Sequence, residues 1–381
     1  MNQTSIIEFI RDTYKTNDFI PLHAPTFSGN EQAYVLKTLE STFVSSIGHF
    51  VDQFEHQIAA YTGSQKVVAT TNGTAALHTA LYIANVQRDD LVITQALTFV
   101  ATCNVLHHMG AKPIFVDVSP ISLGLCPKAV DAYLTDNALL TKTGCIHKQS
   151  RQPIRAVLPM HTFGHPVELD ELSTVCQKWH LTLVEDAAES LGSFYKTKHT
   201  GTIGDFGAIS FNGNKIITTG GGGAVLCKTT VTGDRAKHIT TTAKTAHAYE
   251  FFHDEAAFNY RMPNLNAALG CAQMEVLKQH LKQKRSLASH YYNFFKNSDY
   301  QFVLEPHYAQ SNYWLNAVIC PSKEARNDLL KHTNDANVMT RPIWQLMHHL
   351  PMYQDALRGD LPNSEHFATH LVNLPSSPVV L

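Results

Sequence analysis

Short apolar runs rich in β-branched residues alternate with longer amphipathic stretches between residues 66 and 227. Strands that alternate with helices predict βαβ units and a largely parallel sheet. The runs are too apolar for a half-exposed sheet, so both faces of this sheet should be covered. The predicted strands are 66–70, 91–93, 113–118, 155–159, 181–185, 207–211 and 223–227, and the intervening helices include 75–84 and 168–179.

The pattern differs on both sides of this region. Further along, residues 264–296 form one long helical pattern or two broken ones, and short strands and helices mix after it. We predict an α/β fold with two domains: a large domain at 1–265, which carries a mostly parallel central sheet and an N-terminal arm, and a smaller C-terminal α+β domain at 266–381. Three helical stretches precede the first strand, at 5–14, 30–39 and 51–61.

The composition is that of an ordinary soluble globular protein, with 44% hydrophobic residues, 16% charged residues and a formal charge of −2. No basic run stands out, so we expect no nucleic acid partner. No apolar stretch approaches the roughly 20 residues of a membrane helix, and the first residues lack a signal peptide's features, so we expect no membrane association. The seven dispersed cysteines, with no C-x-x-C, favour reduced thiols and a cytoplasmic location.

Histidine is unusually frequent, with 22 residues, so a metal site has to be considered. The adjacent pairs at 107–108 and 348–349 do not share a helix face. The sequence contains no H-E-x-x-H motif and no cysteine and histidine spacing of the zinc-finger kind. We therefore predict no metal site.

The segment TTNGTAAL, at residues 70–77, has the pattern of an anion-binding turn. A strand ends, a turn with Gly73 follows, and a helix opens with Thr74 and small side chains. Free backbone N–H groups and the positive end of the helix dipole then meet at one point. An ordinary capped helix after a strand is the alternative.

The segment LVEDAAES, at residues 183–190, delivers carboxylates to the end of a buried strand. Open α/β sheets bind their ligands at this end of the strands. Desolvating a carboxylate there is costly unless a cation or hydrogen-bond donors meet it. A protonated pyridine nitrogen is one such partner for Asp186, and capping of the next helix is the alternative.

Lys215 follows a predicted strand directly, with Ser210 five positions before it and four glycines at 220–223 after it. Glycines let a backbone approach a ligand closely. Lysine forms imines when burial or neighbouring groups lower its pKa. A surface loop would be the simpler interpretation of this lysine alone, but the anion-binding turn, the strand-end Asp186 and Lys215 occur in order on one alternating chain.

These features resemble the fold-type I pyridoxal-phosphate (PLP) enzymes, and within them the nucleotide-sugar aminotransferases called the DegT/DnrJ/StrS family. The resemblance covers roughly residues 20–380. The 29-residue separation of Asp186 and Lys215 also looks like the family's spacing. The matching blocks are TNGTAALHTAL, QALTFVATCNVL, PMHTFGHPVELDEL, LVEDAAESLGS, GTIGDFGAISFNGNKIITTGGGG and FNYRMPNLNAALGCAQ.

The resemblance implies a role for each matching position. Lys215 would bond PLP as a Schiff base and later shuttle the proton, and Asp186 would pair with the pyridine nitrogen. Glu189 would lie near the cofactor ring and bear on amino-group handling, and Phe99 would stack on the ring face. Asn259 would reach the phosphate from a partner subunit, which implies a homodimer with shared active sites. The phosphate cradle would comprise Gly73, Thr74 and Ser210.

Three further residues are candidates for substrate binding. His161 follows a predicted strand and would line the substrate site, with a structural histidine as the alternative. Tyr313 is a candidate for the sugar site. Arg341 would meet a diphosphate or the donor's carboxylate, with a surface ion pair as the alternative.

The resemblance also implies a reaction. L-Glutamate would supply an amino group to a UDP-4-keto-6-deoxy-N-acetylhexosamine, giving a 4-amino-4,6-dideoxy sugar for legionaminic-acid-type, bacillosamine-type or other surface glycans such as lipopolysaccharide. A 3-aminotransferase or a GDP-4-keto-6-deoxymannose aminotransferase of the perosamine type is the alternative. A non-catalytic regulatory member of the family is a remote alternative, which the presence of Lys215 and Asp186 disfavours.

Overall fold

The computed structural model describes residues 1–142 and 144–381. The helices are α1 Gln3–Tyr14, α2 Glu31–Ser41, α3 His49–Thr62, α4 Gly73–Ile83, α5 Val100–Met109, α6 Pro127–Asn137, α7 Leu169–Trp179, α8 Thr230–Thr240, α9 Asn264–Phe295, α10 Lys323–Asp335 and α11 Pro362–His370. The strands are β1 Lys66–Thr70, β2 Leu91–Gln95, β3 Lys112–Val116, β4 Ala138–Thr141, β5 Gly144–His147, β6 Ile154–Leu158, β7 Thr182–Asp186, β8 Phe194–Tyr195, β9 Lys198–His199, β10 Phe206–Ser210, β11 Gly223–Cys227, β12 Gln301–Phe302, β13 Ala309–Gln310, β14 Asn316–Ile319, β15 Arg341–Pro342, β16 Leu357–Arg358 and β17 Leu371–Leu374.

Eight strands form the large sheet, in the order β1-β11-β10-β7-β6-β2-β3-β16. Strand β11 runs antiparallel to both of its neighbours, whereas the pairings from β10 to β16 are parallel. The predicted α/β fold with a mostly parallel central sheet is therefore confirmed. Because the parallel strands all end at the same edge, the turns that follow them converge there.

Both faces of the large sheet are covered, as its apolar strands predict. Every residue of β2, β10 and β11 is buried. Helices α4 and α5 pack on one face, where Ala76 and Leu106 share a core with Val225. Helices α3 and α9 pack on the other face, where Phe54 and Cys271 share a core with Phe211 and related side chains.

The C-terminal part is built on the long helix α9 and a second, antiparallel sheet in the order β12-β14-β17-β15. Helix α9 runs without a break, so the pattern at 264–296 corresponds to one helix. Helix α1 packs into this part, because Ile6 and Ile10 are buried with Tyr291 and Phe295. Strand β16 returns to the edge of the large sheet. The N-terminal arm and the C-terminal part therefore interlock, and the division at residue 265 stays a prediction.

Among the described residues, none of the helices combines the length and the apolar character that crossing a membrane requires.

Candidate active site

A cavity of about 670 Å³ lies where the carboxyl ends of the large sheet face the C-terminal part. The large sheet contributes residues that follow or end β1, β2, β7 and β10, and the C-terminal part contributes residues around β15 and the residues before β14. Eight of the predicted site residues line this cavity: Gly73, Thr74, Phe99, Asp186, Glu189, Ser210, Lys215 and Arg341.

Lys215 lies in the turn after β10, where its backbone N–H donates to the Asn212 carbonyl at 3.0 Å. Its Nζ is 3.5 Å from Oε1 of Glu189 and 3.8 Å from the centre of the Trp314 ring. Burial lowers the pKa of Lys215, while the charges of Glu189 and Asp186 oppose that shift. A lowered pKa increases the fraction of uncharged amine, which is the nucleophilic form.

Asp186 ends β7 and is 5% exposed. Its Oδ2 accepts a hydrogen bond from the Thr102 hydroxyl at 2.8 Å, and its Oδ1 accepts one from the Ala188 N–H at 3.2 Å. Burial raises the pKa of Asp186, and these hydrogen bonds together with the charge of Lys215 oppose the increase. No helix follows Asp186 directly in this part of the described chain, so the capping alternative does not apply.

Glu189 is buried beside Lys215, and its Oε2 accepts a hydrogen bond from the Phe163 N–H at 3.0 Å. Burial raises the pKa of Glu189 to about 7, against the opposing charge of Lys215. The carboxyl group therefore titrates near neutral pH, which suits a group that holds a proton beside a reacting amine.

The turn after β1 has the geometry of an anion cradle. The side chain of Asn72 caps α4 by accepting from the Ala75 N–H at 2.8 Å, so the helix begins at Gly73. A Cβ on Gly73 would lie 2.8 Å from Cβ of Ser210, so a side chain at this position would occupy the space between the two turns. The start of α4 and the end of β10 thus approach each other where both line the cavity.

Phe99 and Arg341 approach the cavity from its two sides. The ring of Phe99 is 47% exposed and meets the Trp344 ring edge-on, with 6.2 Å between the centroids. Arg341 is exposed and donates through Nη1 to Oδ1 of Asn334 at 2.8 Å and to the Thr340 carbonyl at 2.9 Å. No carboxylate partner of Arg341 is found among the described residues, so the surface ion pair is not observed.

The prediction that His161 lines the substrate site is not met. His161 is fully buried, and its Nε2 lies 2.9 Å from Oε2 of Glu185. Glu185 also accepts hydrogen bonds from the backbone N–H groups of Gly201, Ile203 and Gly204. Burial raises the pKa of Glu185, but the hydrogen bonds from His161 and the backbone lower it more, so the pKa lies below its ordinary value. His161 is therefore a structural histidine that helps to anchor the loop after β9.

The prediction that Tyr313 lines the sugar site is not met either. Its side chain is buried in the core of the C-terminal part, and its hydroxyl accepts from the Glu305 N–H at 3.0 Å. The next residue, Trp314, lines the cavity instead. Tyr313 has a φ of 47°, in the left-handed region, so the chain turns at this residue and the two successive side chains face different surroundings.

Asn259 is exposed and is not among the described residues that line the cavity of its own chain. Its Oδ1 accepts a hydrogen bond from Nε of Arg261 at 2.9 Å. Its action in a partner's active site stays a prediction.

Sequence reasoning missed three residues at this site: His23, Thr102 and Trp314. Thr102 lies in the first turn of α5, within the matching block QALTFVATCNVL that also contains Phe99. His23 lies in the N-terminal arm, and both of its ring nitrogens are buried without a hydrogen-bond partner among the described residues. Nothing in its sequence surroundings indicates that position.

Two groups of potential metal ligands lie outside the cavity, His348 with His349 and Glu365, and His238 with Asp254 and Glu255. In both groups the contacts are those of histidine–carboxylate pairs, such as His348 Nε2 with Glu365 Oε1 at 3.0 Å. These histidine–carboxylate contacts explain why the side chains of each group lie close together, and no ion is needed to explain it.

The donor groups around the cavity fit PLP. The turns at Gly73 and Ser210 form an anion cradle, Asp186 offers a buried carboxylate to a cationic ring nitrogen, and Lys215 offers an amine to an aldehyde. Together with the sheet topology, this arrangement defines the class of protein as a PLP-dependent enzyme.

Comparison with known proteins identifies the family. The model described as the DegT/DnrJ/EryC1/StrS aminotransferase family matches residues 25–380, and the chain belongs to this family. It is a PLP-dependent sugar aminotransferase, as predicted.

Individual relatives are similar over most of their length. The chain is 32% identical to the GDP-perosamine synthase of Escherichia coli O157:H7, over 94% of each chain. It is 34% identical to the putative pyridoxal phosphate-dependent aminotransferase EpsN of Bacillus subtilis, over 89% of this chain and 84% of EpsN. The fold matches a DegT DnrJ EryC1 StrS aminotransferase from Brucella abortus with a TM-score of 0.84 at 23% identity, over 92% of this chain and 90% of that one.

Proposed function

We propose that this enzyme transfers an amino group from L-glutamate to the C4 keto carbon of a nucleotide-linked 6-deoxyhexose, and that the acceptor is GDP-4-keto-6-deoxymannose. The observation that carries the proposal is the similarity to three GDP-perosamine synthases. They come from Escherichia coli O157:H7, Vibrio cholerae and Caulobacter vibrioides, and they are 32%, 31% and 30% identical over 94% of this chain. This favours the perosamine-type alternative over the UDP-linked acceptor that the sequence motifs suggested first.

The residues around the cavity would divide the work of holding PLP. The N–H groups at Gly73 and Thr74 and the hydroxyl of Ser210 would bind the phosphate at the positive end of α4. Asp186, fixed by Thr102, would keep a proton on the ring nitrogen, and Phe99 would cover a face of the ring. When bound, PLP supplies an aldehyde and a cationic ring that accepts electron density from the substrate carbon.

Lys215 and Glu189 would carry out the proton transfers. Burial lowers the pKa of Lys215. Its Nζ would accept the proton from the substrate carbon and deliver it to the C4′ carbon of the cofactor. Glu189, 3.5 Å from that amine and with a pKa of about 7, would hold a proton beside it near neutral pH. Glu189 is buried and the side chain of Lys215 is 13% exposed, which limits the access of bulk water to the transferred proton.

Arg341 would bind the anionic part of a substrate. It lines the cavity, it is exposed, and its hydrogen bonds to Asn334 and Thr340 are to neutral oxygens. A guanidinium group forms two parallel hydrogen bonds with a carboxylate or a phosphate, so both the donor's carboxylate and the sugar nucleotide's diphosphate suit it.

A homodimer with shared active sites is part of the proposal. Tyr249, Phe251 and Phe252 are 80%, 80% and 62% exposed, and they lie on the segment that leads to Asn259. Large aromatic side chains exposed together are typical of a contact surface. Mixing Asn259→Ala protein with Lys215→Ala protein should restore part of the activity through hybrid dimers. Proven subunit exchange without any recovery would contradict the shared site.

A UDP-4-keto-6-deoxy-N-acetylhexosamine is the second candidate acceptor. The segment RPIW at residues 341–344 resembles 4-aminotransferases that act on amino-sugar nucleotides, and all four of its residues line the cavity. A cytoplasmic location, which the unpaired cysteines favour, and a product used for lipopolysaccharide or another surface glycan complete the proposal.

The decisive experiment is an acceptor panel. Purified enzyme is incubated with PLP, L-glutamate and either GDP-4-keto-6-deoxymannose, the UDP-linked 4-keto sugar or a 3-keto nucleotide sugar, and the products are analysed by mass spectrometry and NMR. We expect a GDP-linked 4-amino sugar with the first acceptor. If only the UDP sugar is aminated, the second candidate acceptor replaces the first. A 3-amino product would reject both 4-keto acceptors. The Lys215→Ala variant is the control for uncatalysed amination.

A further inference from the structure

Trp314 holds the turn that carries Lys215 by two contacts. The centre of its ring lies 3.8 Å from the Nζ of Lys215, and its indole N–H donates to the carbonyl of Asn214 at 2.6 Å. The side chain is nearly buried and lines the cavity. One residue of the C-terminal part therefore contacts both the amine of Lys215 and the backbone immediately before it.

Asn312 connects Trp314 to Glu189, the other side chain that lies beside the amine of Lys215. Its Nδ2 donates to the carbonyls of Glu189 and Leu191 at 2.8 and 2.9 Å, and its Oδ1 accepts from the Trp314 N–H at 2.8 Å. Asn312 is fully buried, and a Cβ on Gly164 would overlap its side-chain oxygen. The amide group thus fixes the backbone of Glu189 relative to that of Trp314 across the junction of the two parts.

The backbone of Trp314 is also held from α9. The Nζ of Lys284, which is fully buried, donates to the Trp314 carbonyl at 3.1 Å and to the Ser376 carbonyl. Buried hydrogen bonds of this kind fix position, because breaking one leaves a polar group without a partner. Trp314 is therefore held at its N–H, at its carbonyl and at its indole nitrogen.

We propose that Trp314 is a further catalytic residue, which directs the amine of Lys215 toward the reacting carbon, and that Asn312 is a positioning residue that sets the distance between Trp314 and Glu189. The inference deepens the proposed function, because it rests on Lys215 as the residue that bonds the cofactor. It does not depend on which nucleotide sugar accepts the amine.

The ring of Trp314 also affects the charge of Lys215. An aromatic face attracts an ammonium group, and the attraction is stronger where water is excluded. Trp314 therefore stabilises the charged form of Lys215, in opposition to burial, which lowers its pKa. The other titratable groups that face Lys215 are Glu189, Asp186 and His23, so the pH profile has to be compared between variants that leave these three intact.

The test measures how PLP bonds to Lys215 in protein freed of cofactor. PLP is added over a range of pH, and the visible absorbance of the lysine-bonded cofactor is followed by stopped flow. Borohydride reduction and mass spectrometry of the Lys215 peptide confirm the bonded residue. Trp314→Leu removes the ring and the N–H but keeps an apolar side chain, and Trp314→Phe keeps a ring but loses the N–H. Trp179→Phe is the matched control, because the Trp179 N–H donates to Asp131 and neither of these residues lines the cavity.

We expect Trp314→Leu to lower the maximal bonding rate at least about tenfold, since a misdirected amine loses the reacting geometry. The pH at which the bonding rate is half-maximal should fall by about one unit, because the ammonium group of Lys215 loses the aromatic face of Trp314. Trp314→Phe should lose rate a few-fold, on the order of one missing hydrogen bond, with its midpoint nearly unchanged. Trp179→Phe should match the wild type.

Wild-type rate and midpoint in Trp314→Leu would overturn the inference. If circular dichroism shows that Trp314→Leu does not fold, Trp314→Phe decides in its place, and an unchanged rate in that variant overturns the inference as well. Absence of a bond between PLP and Lys215 in the wild type would reject the assignment of Lys215 itself, and the role of Trp314 with it. If PLP bonds to Lys215 in the wild type and the Trp314 variants bond it at the wild-type rate, only the role of Trp314 is rejected.

Discussion

The two sides of the cavity are built differently. On the side of the large sheet, which we call the enclosed side, Asp186 and Glu189 are buried and the side chain of Lys215 is 13% exposed. The Thr102 hydroxyl and two backbone N–H groups donate to the two carboxylates. On the C-terminal side, Arg341 is exposed and Trp344 is only partly buried. The enclosed side suits chemistry that requires fixed atoms and excluded water, whereas the open side suits recognition of a large substrate that enters and leaves.

The largest effect should come from the enclosed side. Lys215→Ala removes the amine that we propose to bond the cofactor and move the proton, so we expect turnover to fall more than about 1,000-fold and the visible absorbance of bound PLP to disappear. Steady-state kinetics and absorbance spectra check both effects. Lys228→Ala is the matched control, because Lys228 is exposed at the end of β11. Turnover that survives in Lys215→Ala would exclude its proposed role.

Asp186→Asn should have the second largest effect. The amide keeps the shape of the side chain but cannot stabilise a charged ring nitrogen, so proton transfer should slow about 100-fold while PLP still binds. Rapid-mixing measurements of the glutamate half-reaction check the rate, and equilibrium titration checks the binding of PLP. A half-reaction close to the wild-type rate would argue against pairing with the ring nitrogen.

On the open side, Arg341→Lys should change binding more than chemistry. Lysine keeps the charge but loses the two-pronged hydrogen bond, so we expect the KM of one substrate to rise about tenfold with kcat nearly unchanged. Separate titrations of L-glutamate and the sugar nucleotide identify which anion Arg341 binds. Arg358→Lys is the control, since Arg358 donates to the Gln354 carbonyl away from the cavity. Equal KM values in both variants would refute the binding role.

The last effect concerns stability and leaves the proposed chemistry aside. Burial raises the pKa of Glu189 from 4.5 to about 7, so between these pH values the folded protein holds a proton that the unfolded chain has released. Stability contributed by this group is therefore present at low pH and is lost as the pH rises through this window. In Glu189→Gln, PLP-free protein should lose less stability between about pH 5 and pH 7.5, by up to roughly 3 kcal/mol. Thermal unfolding of both proteins at the two pH values checks this, and identical pH dependence would contradict it.

The same contrast governs what the sequence could predict. Strands β1 and β11 were predicted with the bounds that the structure shows, because a strand buried on both faces leaves a continuous apolar run. The enclosed residues lie at the ends of such strands, and topology alone brings those ends together. The convergence of Gly73, Asp186, Ser210 and Lys215 could therefore be predicted from the sequence.

Side-chain direction on the other turns could not be predicted. His161 begins a turn in which Phe163 has a φ of 56°, an unusual conformation for a non-glycine residue, and the chain reverses so that His161 faces Glu185. Tyr313 and Trp314 are adjacent, and the chain turns at Tyr313, whose φ is 47°, so that Tyr313 meets the core and Trp314 the cavity. Such choices depend on packing between distant segments, which a local pattern does not contain.

Strand β11 has a consequence for how the protein is made. It pairs with β1 on one side and β10 on the other, and its first residue, Gly223, is opposite both Thr70 and Ser210. The two turns that we propose to bind the phosphate are therefore joined by a segment that leaves the ribosome long after β1. A nascent chain that ends before residue 223 lacks the strand that joins these two turns. We therefore expect capture of the cofactor only after β11 has been synthesised.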